Sequence, residues 1–210
     1  MKNICALLGI FGLFAAGAFA GDAGNNPVAP GPFDRGAWEW EGGAGEFCSF
    51  STTSARRVTI NYQMEDIRLG WMYDSPRRGD WLGGWLRGTN EFLLEGFGGP
   101  VTKGPGSYLA GGSLLWRYDF VQPEARLVPY IQIGAGALGN DVHTGGGQEE
   151  IGEAFEFVLQ GDAGLKYMIN EQWAVSAEAG YRHVSNADLA SRNEGLNSLG
   201  GLMQMSYYFH

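Results

Sequence analysis

The sequence predicts an all-β fold, an eight-stranded antiparallel transmembrane β-barrel, and three observations carry that expectation. Long segments alternate apolar and polar side chains with a period of two, as a strand between two environments must. The clearest runs from Tyr108 to Phe120: Tyr108, Ala110, Leu114, Trp116, Tyr118 and Phe120 share one face, while Ser113, Arg117 and Asp119 lie on the other. The connections alternate between tight turns and long loops, the asymmetry of an outer-membrane barrel with short periplasmic turns. The chain also opens on a secretory pattern, with Lys2, an apolar core from Ile4 to Ala16 and the small-x-small site Ala18-Phe19-Ala20.

Residues 1–20 are therefore expected to be a signal peptide. Cleavage after Ala20 leaves 210 − 20 = 190 residues and takes the formal charge from −9 to −10. Cys48 is then the one remaining cysteine, and no intramolecular disulfide is expected. Cys5 precedes most of the apolar core and is misplaced for a lipoprotein anchor. Residues 21–36, rich in Gly, Asn and Pro, read as a loose periplasmic lead-in, and 37–210 as the barrel. The expected strands are 37–50, 57–73, 85–98, 108–120, 127–138, 155–168, 173–185 and 197–209. Gln122-Pro123-Glu124-Ala125 and Ile169-Asn170-Glu171-Gln172 read as tight turns, and 139–153 and 186–196 as long loops. Pro129 lacks an N–H for the ladder and is tolerable only near a strand start.

The two faces separate a membrane barrel from a soluble sandwich, whose charged face would point outward. Here the minority face carries both signs: Arg68, Glu91, Glu95, Arg117, Asp119, Glu156, Asp162, Lys166, Glu178 and Arg182. Such a set suits the polar interior of a narrow barrel, where opposite charges pair. Trp38, Trp40, Trp71, Trp116, Tyr118, Tyr167, Trp173 and Tyr207 fall near strand ends, where an aromatic girdle belongs. Mean hydropathy is −0.17, as expected for alternating strands. Eight strands leave an interior just wide enough for side chains, so solute transport is disfavoured. The acidic balance, with no basic stripe, disfavours nucleic acid.

Two motifs carry little. Gly134-x-Gly136-x-x-Gly139 spells a dinucleotide fingerprint, but nothing helical follows it. His143, Glu149 and Glu150 lie around Gly145-Gly146-Gly147 without defined ligand spacing, so an acidic outer loop is expected rather than a metal site. No cofactor and no metal are expected.

The segment Arg182-His183-Val184-Ser185-Asn186-Ala187 carries more. His183 and Ser185 continue the apolar, lipid-facing side of the seventh strand at its outer end. Asn197 begins the outward face of the eighth, and pairing across the intervening loop is expected to set it beside Ser185 and diagonal to His183. Spacing alone leaves two readings open: a polar belt at headgroup depth, and a nucleophile with its base.

The longer string, with Asn193-Glu194-Gly195-Leu196-Asn197-Ser198 following, resembles the active-site segment of the outer-membrane lipid A 3-O-deacylases (PagL type). The resemblance covers about the last thirty residues. It implies a serine esterase hydrolysing an ester-linked acyl chain of lipid A, with lipopolysaccharide as substrate and outer-membrane lipids as surroundings; a homodimer is compatible with it. It also implies roles: Ser185 as nucleophile, His183 as base, Asn186 at the oxyanion and Asn197 as third member. The family commonly has Glu at the third position. Asn can orient a histidine but cannot offset imidazolium charge, and Glu194 is nearby but out of register. The alternative is a non-catalytic barrel with a structural or loop-mediated binding role.

Overall fold

The computed structural model describes residues 31–50, 58–76, 84–189 and 191–210. The expected signal peptide and residues 21–30 of the lead-in lie outside the described residues. Eight antiparallel strands close on one another in chain order, β1 pairing with both β2 and β8. They are β1 (Trp38–Phe50), β2 (Asn61–Met72), β3 (Thr89–Lys103), β4 (Tyr108–Asp119), β5 (Leu127–Asn140), β6 (Phe155–Met168), β7 (Trp173–Ser185) and β8 (Leu196–Phe209). A 3-10 turn, Val142–Thr144, sits in the β5–β6 loop.

Most strand bounds fall within a few residues of expectation, and β6 and β7 coincide with it. β3 is the exception: it runs from Thr89 to Lys103 rather than 85 to 98. Gly98, Gly99 and Pro100 resemble a turn in sequence, yet they remain paired with Ala110, Leu109 and Tyr108 at the tip of the β3–β4 hairpin. Pro129 is the third residue of β5, and its carbonyl accepts from Phe120 N at 2.8 Å.

The register fixes the tilt. A row followed from Trp173 through Tyr207, Trp40, Leu69, Leu94, Leu114, Ala135 and Leu159 returns to β7 at His183. That is 183 − 173 = 10 residues of stagger, consistent with strands tilted about 40° to the axis. The same spiral row therefore joins the aromatic end of β7 to the site at its other end.

Every charged residue expected on the minority face is buried inside. Arg68 bridges Glu41 at 2.8 Å, Glu95 at 2.9 Å and Glu178 at 3.0 Å. Arg117 reaches Glu41 at 2.7 Å and Glu39 at 3.3 Å, and Lys166 reaches Glu39 at 2.7 Å. Burying a charge is costly unless it is paired. Arg68 pairs with Glu41 and Glu95 on neighbouring strands, while its bridge to Glu178 and the Arg117 and Lys166 bridges to β1 cross the lumen between non-adjacent strands. Apolar clusters close both ends of this polar column. At the loop end Phe47, Tyr62, Phe97, Val158, Val184 and Leu196 pack together, and the Arg182 guanidinium lies 4.9 Å over Phe47. At the turn end Phe33, Met72, Val128 and Tyr208 do so. Phe33, just before β1, is buried in this cluster and packs 5.5 Å from Tyr208. The lumen is filled with side chains, and chemistry is left to the rim and the outer wall.

That wall is apolar. Ile67, Leu94, Leu114, Ile133, Leu159 and Met203 are all more than half exposed. The turn end carries the aromatic ring expected, with Trp38 on Trp71 at 6.5 Å and Trp173 on Tyr207 at 4.8 Å. An apolar band above an aromatic girdle is the surface a bilayer demands of a barrel.

Candidate active site

Alternation along β7 decides which side chains meet lipid. Arg182 and Val184 are buried inside, while Tyr181, His183 and Ser185 lie on the outward face. On β8, Leu199, Met203 and Met205 face outward, and Asn197 shares their parity. Asn197 is nonetheless only 8% exposed, because neighbouring side chains cover it.

The register differs from expectation by two residues. Asn197 lies directly opposite His183, not beside Ser185. A short hairpin turn dictates register, but the 186–195 connection is long and irregular, so its length does not. The difference favours the base: His183 Nδ1 lies 2.9 Å from Asn197 Oδ1. An amide oxygen only accepts, so Nδ1 carries a proton, and in the neutral ring Nε2 keeps its lone pair. Asn197 Oδ1 also accepts from the Tyr181 hydroxyl at 2.6 Å. By sequence alone Tyr181 is an ordinary aromatic on the apolar face of this strand. Its place two residues before His183 on the same face was the available signal.

Gly195 borders the other edge of the imidazole. A Cβ there would lie 2.8 Å from His183 Cε1 and 3.5 Å from Nε2. The φ of +73° also favours glycine. Gly195 is fixed by its N–H on the Glu150 carbonyl at 3.1 Å, and Glu194 N donates to Glu149 O at 3.0 Å. The β5–β6 and β7–β8 loops are thus zipped together above the site. Glu150 ties in the start of the β2 region through Val58 N at 3.0 Å.

Ser185 is paired across the sheet with Phe157 and is half-buried. Among the described residues it forms no hydrogen bond with His183, whose bonded partner is Asn197. Asn186 is turned away from the lipid face. It is 1% exposed, its amide donates to Arg192 O at 2.9 Å, and its backbone N–H donates to Asn193 Oδ1 at 2.9 Å. Asn186 therefore shapes the loop directly behind Ser185. Glu194 is an exposed loop residue, and Asn197 holds the position at His183 Nδ1. Gly134 and Gly136 lie within β5, where a Cβ would strike Leu115 Cδ2 and Gly112 O, so they serve close packing.

Fold and site together define a class: a membrane-spanning barrel with a hydroxyl, an imidazole and an amide on its lipid-facing rim. The chain belongs to the lipid A 3-O-deacylase (PagL) family, whose model matches residues 57–206, and it is a barrel of the bacterial outer membrane. Among solved structures it is similar to the outer membrane enzyme PagL, at 20% identity and a TM-score of 0.51, covering 78% of this chain and 97% of that one. It is also similar to Neisserial surface protein A (NspA), at 15% identity and a TM-score of 0.52, covering 83% and 98%. At such identities the structural likenesses establish the shared fold. No curated protein sequence matches the chain.

Proposed function

We propose that this protein is an outer-membrane serine esterase that removes an ester-linked acyl chain from lipid A, at the 3-O position as the family description indicates. The observation that carries the reading is the His183 Nδ1–Asn197 Oδ1 bond on the lipid-facing wall, which leaves Nε2 free on the face that Ser185 shares. A lipid substrate in the outer leaflet reaches that face without entering the lumen.

In this reading Ser185 Oγ attacks the ester carbonyl while His183 Nε2 takes its proton. The tetrahedral intermediate collapses, and His183 returns the proton to the departing sugar oxygen. Water, activated by the same imidazole, then releases the fatty acid from Ser185. The Ser185–His183 hydrogen bond forms with substrate in place, since such bonds commonly tighten only in the complex. The family resemblance assigns the oxyanion to Asn186, and that role requires its side chain, 1% exposed and bonded to Arg192 O, to turn toward Ser185 when substrate binds. Asn197 orients the imidazole without a charge, so the turnover expected is slower than with a carboxylate there.

The absence of a Ser185–His183 bond among the described residues also suits a second reading, a non-catalytic barrel acting through its loops. Purified protein in detergent with lipid A separates the two. Release of free fatty acid by wild type and not by Ser185→Ala supports the esterase, and no release by either supports the second.

A further inference from the structure

We infer that Tyr181 is a positioning residue that selects the productive orientation of Asn197, a task that arises only because this chain has an amide at the third position. The inference deepens the esterase reading and rests on it.

A carboxylate offers an acceptor whichever way it is turned. A carboxamide does not, because one end accepts and the other donates. With Oδ1 toward His183, Nδ1 must carry the proton and Nε2 is the base. With the amide reversed, its NH2 would donate to Nδ1, the ring proton would move to Nε2, and His183 could not accept from Ser185. Asn197 therefore needs something to hold its oxygen in place.

The Tyr181 hydroxyl does this. It donates to the same Oδ1 at 2.6 Å, so one oxygen receives two donors, from Tyr181 and from His183 Nδ1. A reversed amide would turn an N–H toward the phenol, which donates more readily than it accepts. The Tyr181 ring is braced by Phe50 at 6.2 Å, and Phe50 is the β1 partner of Asn197 in register. Phe50 and Tyr181 thus cover the amide and keep water from competing for it, consistent with its 8% exposure. Tyr181 faces outward at 38% exposure, so its hydroxyl is not needed to fill the lumen.

The test is a double-mutant cycle of Tyr181→Phe with Asn197→Glu, read as initial rates on lipid A in detergent, with folding checked by circular dichroism. Loss of the hydroxyl is expected to lower kcat about tenfold when residue 197 is Asn. In the Asn197→Glu background, where orientation no longer matters, the loss should be less than about threefold. Equal losses in both backgrounds mean a merely structural tyrosine and overturn the inference, as does no loss in either. Nitrogen NMR of the His183 ring gives a reading that does not depend on turnover. The proton should sit on Nδ1 in wild type and shift toward Nε2 in Tyr181→Phe; an unchanged tautomer overturns the inference. If lipid A is not hydrolysed by any variant while the tautomer still shifts, the esterase reading fails and the positioning role stands.

Discussion

Replacing Gly195 with Ala tests how tightly the loop sets the imidazole. The new Cβ would lie 2.8 Å from His183 Cε1, where carbon atoms normally stay about 3.5 Å apart or more. The ring must then retreat by about 0.7 Å. Its bond to Asn197, now 2.9 Å, has little room for that displacement. A misplacement of about 1 Å can cost about a hundredfold in rate, so kcat should fall between about tenfold and a hundredfold. The substitution also places a side chain at φ +73°, a strain of about 1–2 kcal/mol. Gly147→Ala separates the two effects: its φ is +80° but nothing lies within 4 Å of its Cβ. The assay is fatty-acid release from lipid A in detergent, with thermal unfolding followed by circular dichroism. Gly195→Ala should lose rate and stability, and Gly147→Ala stability alone. Normal turnover by folded Gly195→Ala, or an equal rate loss in Gly147→Ala, refutes the argument.

Other expectations follow from the same geometry. Ser185→Ala and His183→Ala should each abolish deacylation in a folded barrel, with the double variant little worse than either, since members of one unit are not additive; survival of activity in Ser185→Ala removes the serine mechanism. Asn197→Glu should raise kcat by stabilising the imidazolium, and a rate at or below wild type would show that charge at this position is not limiting. Asn186→Asp, which exchanges the amide donor for an acceptor, should lower kcat about a hundredfold with little change in KM if Asn186 serves the oxyanion; a change in unfolding temperature alone would assign it to the loop. Asp141 accepts from Ser107 N at 2.7 Å and Tyr108 N at 3.1 Å, and these bonds hold its carboxyl below the usual 3.8. Because the folded value is the lower one, the tie is at full strength above pH 3.8 and is lost as pH falls through that lowered value. The Ser107 and Tyr108 amide resonances should therefore move in that acidic window, and Asp141→Asn should abolish the movement.

Strand alternation made the barrel legible from sequence. Each charged residue on the minority face had to be inside, and Arg68, Arg117 and Lys166 are. The end of β3 was not legible, because Gly98-Gly99-Pro100 has turn composition and only pairing with β4 keeps it in the strand. His183, Ser185 and Asn197 were legible as a set on one face, since parity needs only the period of two. Their spacing was not, because a two-residue change of register preserves parity and the 186–195 loop does not reveal it. Tyr181 escaped for a related reason: on a lipid-facing strand an aromatic is ordinary, and only the register shows its hydroxyl meeting Asn197.

The central claim is chemical, and the lipid itself reports on it. Lipid A would be extracted from outer membranes of cells producing the wild-type chain, the Ser185→Ala variant or neither, and weighed by mass spectrometry. The account predicts a species lighter by one ester-linked acyl chain with wild type alone. Identical spectra from all three, with the barrel present and folded in the membrane, would contradict it.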